Sequence, residues 1–257
     1  MFSRVVLVLL FSLLFTLSAC GKREKITNLH QLDGKEFAIP TGTAVDQLVL
    51  SRLPNARFKY FNSTIDAAMA VQSGQADAVA DDEPILRNIV AKKGGLVLLS
   101  EMITTDNYGF AVQPDNYDLK KNIDVVVNDL RKNGAYDAMI LRWFPKSGAP
   151  ALMPAIPSSA TNGVLRLGTS SVTEPFSFVD GTGGIVGFDI ELASHVAKKL
   201  GKKLEIVNME FGALIPALIS GKVDMIAACI TITDERAKKV LFSNPYYTGG
   251  IAAVVNE

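Results

Sequence analysis

The chain has little cysteine, histidine or tryptophan: two, two and one in 257 residues. Cys20 and Cys229 stand too far apart and too alone to make a disulfide framework or a four-ligand zinc site. His30 and His195 leave little room for a histidine-based triad or metal centre, and neither a metal nor a cofactor is expected. An excess of charge of one sign is also missing. There are 26 basic and 26 acidic side chains, with no basic block, which excludes the positive footprint of a nucleic-acid binder. What is present is an ordinary globular mix, 48% hydrophobic and 20% charged. It excludes a disordered chain, a collagen or a disulfide-rich miniprotein. The length suits one large domain or two lobes.

Residues 1–20 read as an address. Arg4 precedes the apolar run Val5–Leu17, which is too short for a membrane span and has the positive start of a secretory signal. Leu17-Ser18-Ala19-Cys20 resembles the bacterial lipobox, in which cleavage precedes a cysteine that is then lipidated. The mature protein is therefore expected on the periplasmic side or the cell surface, held to a membrane by Cys20. Cys229, in the apolar run Met225–Ile230, reads as a buried small hydrophobe rather than a nucleophile.

Beyond a tether at 21–27, strand-like and helix-like patterns alternate, which predicts an α/β fold with largely parallel sheets. The spacing predicts a helix over 64–72 capped by Ser63 and stopped at Ser73-Gly74, and another over 188–200 stopped by Gly201. Residues 145–162 carry four prolines and read as a linker, spanning roughly 55 Å if extended. The stretch Ala70–Ala80 is echoed by Ala217–Ala227, each a helix end, Ser-Gly, Asp and a strand. Two similar lobes would account for the echo, as would the general likeness of helix–glycine–strand junctions.

In open α/β sheets ligands bind at the carboxyl ends of strands. Asp81, Asp82 and Glu83 follow one apolar strand, Thr231 to Arg236 another, and Thr41 and Thr43 a third. A zwitterion requires such a set, with a bidentate arginine for its carboxylate and an acid for its ammonium. Spacing alone leaves open that Arg236 merely pairs with a surface carboxylate on its own short helix.

Five segments follow one another in the C-terminal half: Gly187-Phe188-Asp189-Ile190, Ala213–Leu218, Ser220-Gly221-Lys222-Val223-Asp224, Thr231-Ile232-Thr233-Asp234-Glu235-Arg236 and Phe242-Ser243-Asn244-Pro245-Tyr246-Tyr247. Together they resemble the first half of the family 3 solute-binding proteins, the polar-amino-acid receptors of ABC importers. Leu32-Asp33-Gly34-Lys35, Thr41-Gly42-Thr43, Ser73–Ala78, Asp82, Tyr108–Val112 and Asn133–Tyr136 with Arg142-Trp143-Phe144 resemble the second half. The order is inverted. The resemblance thus implies a two-lobed, periplasmic-binding-protein-like (type II) fold in circularly permuted form. It implies one lobe over 28–106, a return to the other over 107–144, the linker at 145–162, and the other lobe with a hinge strand over 163–257. A domain-swapped or tandem arrangement ranks second.

Carried residue by residue, the resemblance puts Arg236 on the ligand α-carboxylate with Thr231 beside it, and Asp82 on the α-ammonium. It puts Thr43 near the carboxylate, Phe211 against the ligand side chain and Cys229 where backbone contacts are made. Ser170 and Thr173 stand where basic-amino-acid receptors carry an acid and a tyrosine. Val45 replaces a polar position, which implies a less polar wall. The expected protein is a monomer that closes on an amino acid or a related small zwitterion and delivers it to an ABC permease. One hinge strand is expected to be continuous near Thr104–Val112. The other is expected to be open, held by Ile251–Asn256 pairing near Lys25–Leu29. Two rival readings are a cyclohexadienyl-dehydratase-like lyase with Glu174 as general acid, and a sensor acting on a membrane partner.

Overall fold

The computed structural model describes residues 25–145, 152–157 and 159–257. The expected leader, the lipobox cysteine, part of the tether and part of the linker lie outside the described residues. No helix among the described residues is long and apolar enough to cross a membrane.

Two five-stranded sheets form the cores of two lobes. The first has the order Arg57–Phe61, Glu36–Pro40, Ala78–Asp82, Ile251–Asn256, Leu96–Leu98. The second has the order Lys203–Asn208, Val164–Thr169, Met225–Ile226, Ala111–Val112, Leu241–Phe242. The first three strands of each order run parallel and the remainder pair antiparallel. The predicted α/β alternation is thus realised as two mixed sheets. The helix Thr64–Gln72 has the expected ends, with the Ser63 hydroxyl accepting from the Asp66 N–H. The helix Phe188–Leu200 carries Asp189 and Glu191 in its first turn, Lys198 and Lys199 in its last, and Gly201 in the left-handed conformation beyond it. That charge order matches the helix dipole.

The segment before the linker packs into the second lobe. Arg142 Nη1 donates to both Glu191 oxygens at 2.8 and 3.0 Å, and Trp143 Nε1 donates to Glu191 Oε2 at 2.6 Å. Trp143 and Glu191 are buried, so residues from either side of 145–162 share one core.

The lobes are joined by two crossings, Asp106–Tyr108 and Tyr247–Gly249, which pair antiparallel with Tyr247 opposite Tyr108. The rings of Tyr108 and Tyr247 stack with centroids 5.7 Å apart. Both crossings are continuous in the chain, which corrects the expectation of one open hinge. Ile251–Asn256 does not pair with Lys25–Leu29. It inserts between Ala78–Asp82 and Leu96–Leu98, and Leu29–Leu32 is a 3-10 helix with its own capping box. The reason lies in composition: Ile251–Val255 is apolar on both faces and wholly buried, the mark of a central strand rather than an edge. Between the crossing and this strand lies Gly250, with φ +152°. A Cβ there would stand 2.1 Å from the Thr104 carbonyl oxygen, so the turn into the first lobe requires glycine.

Candidate functional site

Between the lobes, where the parallel strands of both sheets end, is a cleft with about 560 Å³ of atom-free space including its mouth. Glu36–Pro40 leads to Thr41 and Thr43, Ala78–Asp82 ends in its two acids, Val164–Thr169 leads to Ser170, and Met225–Ile226 leads to the loop holding Cys229 and Thr231. All eight residues singled out in the sequence, Arg236, Thr231, Asp82, Thr43, Phe211, Cys229, Ser170 and Thr173, line this one cleft.

Asp82 is buried. Its Oδ1 accepts from the Tyr108 hydroxyl at 2.6 Å, and its Oδ2 accepts from Cys229 Sγ at 3.3 Å. Burial and the neighbouring Asp81 charge push its carboxyl up to about 8, against the lowering effect of those two donors and of Arg236. Asp81 is buried behind it. It accepts from the Thr64 hydroxyl and, through Oδ1 at 2.9 Å, from the Asp82 N–H. Burial raises Asp81 to about 6. The cleft therefore presents a carboxyl that a cation would draw into its charged form.

Arg236 faces Asp82 from the other lobe. It sits on the short helix Asp234–Ala237, whose N-terminus is capped by Thr233. Its Nη1 donates to the Thr231 carbonyl at 3.0 Å, and its guanidinium carbon lies 5.5 Å from the centroid of the Phe211 ring. Burial lowers its pKa, and Asp82 partly restores it. One backbone acceptor and one aromatic face thus orient the guanidinium and leave further donors for a ligand. Phe211, expected against the ligand side chain, is engaged by Arg236.

Cys229 is buried, as expected. Its φ of +53° is uncommon for a residue with a Cβ. Asp189 Oδ2 holds this turn by accepting the Cys229 N–H at 2.8 Å. Burial raises Asp189 to about 7, against the lowering effects of the Cys229 N–H and the Tyr246 hydroxyl. That hydroxyl is close enough to act on the carboxyl, yet neither it nor Asp189 Oδ1 has a well-aligned hydrogen-bond partner. Burial also raises the Cys229 thiol well above its usual range, which keeps it neutral.

Sequence reasoning did not assign roles to Asp81, Thr64, Tyr108 or Asp189. Tyr108 and Asp189 stand within the segments that carry the family resemblance, and Asp81 stands beside Asp82 at the end of its strand. Tertiary packing brings Thr64 to the cleft wall and places Asp189 behind it, on the Cys229 N–H.

The lobes are closed on each other. A Cβ on Gly42, where φ is +80°, would lie 2.8 Å from the Cα of Gly212 in the opposite lobe. At the rim, Lys92 Nζ of the first lobe pairs with Glu174 Oε1 of the second at 2.6 Å. Glu174, the candidate acid of the lyase reading, is absent from the cleft lining. The Lys92 side chain is 51% exposed, and such a pair contributes about 0.2–1 kcal/mol. Lys92→Ala is therefore expected to weaken ligand binding by no more than about fivefold, mostly through faster dissociation, with the difference vanishing in high salt. Stopped-flow dissociation at two ionic strengths measures it.

These features define a two-lobed α/β protein with an acid on one lobe facing an arginine on the other. Residues 165–257 match the bacterial extracellular solute-binding proteins, family 3. It is 48% identical over 84 residues to the arginine-binding extracellular protein ArtP of Bacillus subtilis (strain 168), covering 33% of this chain and 32% of that one. It is 40% identical over 83 residues to the lysine/arginine/ornithine-binding periplasmic protein of Escherichia coli (strain K12), covering 32% of each. The chain thus spans about a third of the length of these curated relatives. Among solved structures, the arginine-bound domain 1 of TmArgBP is 45% identical, with 37% of this chain and 80% of that one covered and a TM-score of 0.33.

Proposed function

We propose that this protein captures an amino acid or a related small zwitterion between its closing lobes and presents it to an ABC permease. It works as a monomer outside the cytoplasm, anchored through lipid on Cys20. One observation carries the reading: a buried acid on one lobe, Asp82, and an oriented arginine on the other, Arg236, line the same cleft. Asp82 takes the α-ammonium and Arg236 takes the α-carboxylate, with Thr231 and Thr43 beside it. Only the closed state offers both contacts, so ligand favours closure.

The proposed order of the chain is circularly permuted, with 28–106 forming most of the first lobe and 107–144 joining 163–250 in the second. Two features support it. The family-matching segment comes last, and both lobe crossings are nevertheless continuous.

Calorimetric titration of the purified protein against the twenty amino acids, with small-angle scattering of the empty and saturated forms, tests the reading. Micromolar or tighter binding of one or a few amino acids by a monomer is expected. A folded protein that binds none of them refutes it. Mass spectrometry of the membrane fraction tests the anchor. Cys20→Ala is expected to abolish the lipid adduct and release the protein.

A further inference from the structure

This inference rests on the amino-acid reading and asks which side chains the cleft admits. The charged residues lining it are Asp81, Asp82 and Arg236. Arg236 and Asp82 are occupied by the ligand's own α-groups. The two oxygens of Asp81 are already engaged by the Thr64 hydroxyl and the Asp82 N–H.

The remaining wall carries no charge: Val45, Ile85, Val172 and Ile251 are aliphatic, Ser170 and Thr173 bring hydroxyls, and Asn62 brings an amide. The Thr173 hydroxyl points to the carbonyls of Ser170 and Ser177, at 2.9 and 3.2 Å. Ile85 and Val172 form a partition, since they also line a neighbouring hollow. The charged residues of that hollow are Lys92, Lys93 and Glu174, and its one acid is paired with Lys92. A cationic side chain lying along this wall would meet no free carboxylate, and beyond the partition it would meet lysines. A carboxylate side chain would meet no free cation within the cleft. Burying either charge without a partner is strongly unfavourable.

We propose that this cleft selects amino acids with uncharged side chains and rejects arginine, lysine, glutamate and aspartate. This sets the chain apart from the relatives whose names specify arginine or lysine.

Competition calorimetry on the purified protein tests it. The best neutral amino acid is expected to bind at least about 100-fold more tightly than arginine, lysine, glutamate or aspartate, the scale set by an unpaired buried charge. Arginine, lysine or an acidic amino acid binding as tightly as the best neutral one overturns the inference and leaves the receptor reading standing. No binding by any amino acid overturns both. A second variant locates the side-chain end. Ser170→Asp, in a protein whose folding is checked by thermal unfolding, is expected to narrow the arginine deficit by at least about tenfold. An unchanged deficit overturns the assignment of the Ser170 region to the ligand side chain.

Discussion

Replacing Arg236 by alanine is expected to remove amino-acid binding almost completely, with a loss of at least about 100-fold. The ligand α-carboxylate would lie in a closed cleft whose other charges are both carboxyls. An anion left there without its cation costs about 3–5 kcal/mol, of which closure around water can recover only part. Arg236→Lys separates charge from geometry. Lysine supplies a point charge but neither the fork nor the flat face that lies over Phe211, so intermediate affinity is expected. Thermal unfolding of the alanine variant is expected to stay close to that of the parent, because the exposed helix Asp234–Ala237 is held mainly by its Thr233 cap. Calorimetry on the three proteins measures the series. Full affinity in the alanine variant would remove Arg236 from the site.

Raising the pH from 5 to 8 is expected to act in opposite directions on the empty protein and on its grip on the ligand. Asp81, Asp82 and Asp189 are raised to about 6, 8 and 7 in the folded chain, against an unfolded value of about 3.9. Between those limits the folded state holds more protons than the unfolded state, so the stability of the empty protein falls as pH rises through the window.

Ligand reverses the balance at Asp82. The ammonium requires the ionised carboxyl, so below about pH 8 binding expels a proton. The groups that face Asp82 are Asp81, Tyr108, Cys229 and Arg236. Tyr108 and Cys229 are held neutral by raised pKa values, and Arg236 remains charged, which leaves the two carboxyls to titrate. Affinity is expected to rise by up to about tenfold per pH unit for one proton and to level off above 8. Calorimetry in buffers of different ionisation enthalpy counts the proton directly. A dissociation constant that is flat from pH 5 to 8 would contradict this role for Asp82. Asp82→Asn is expected to bind weakly and to lose the slope.

Much of the site was legible because its residues follow strand ends, where side chains must face the gap between lobes. Thr43, Asp82, Ser170 and Thr231 occupy such positions, and Arg236 sits on the short helix that follows the last of these loops. The supporting groups were not legible. Thr64 begins a helix and Asp189 lies in the first turn of another; what each touches depends on how those helices dock. The hinge was misread for a related reason. Periodicity identifies Ile251–Val255 as a strand, but pairing is a tertiary property. The absence of any polar face is the clue that it is an interior strand and not an edge. The hinge strand expected near Thr104–Val112 is divided in the structure between Asp106–Tyr108 and Ala111–Val112, because its first part belongs to the lobe crossing and its second to the sheet.

The placement of Ile251–Asn256 bears on how the protein acquires its shape. The second lobe is built from one continuous stretch and can collapse as soon as that stretch is available. The first lobe begins with residues early in the chain but lacks an interior strand until Ile251–Asn256 arrives. Until then Ala78–Asp82 and Leu96–Leu98 flank an empty slot, two unpaired edges of the kind that recruit foreign strands. Contacts such as Ala80 with Ala253 join residues far apart in sequence, and contacts of that separation slow folding. The lobe that begins first is therefore completed last. The waiting period, more than the finished fold, is when this chain is most exposed to aggregation.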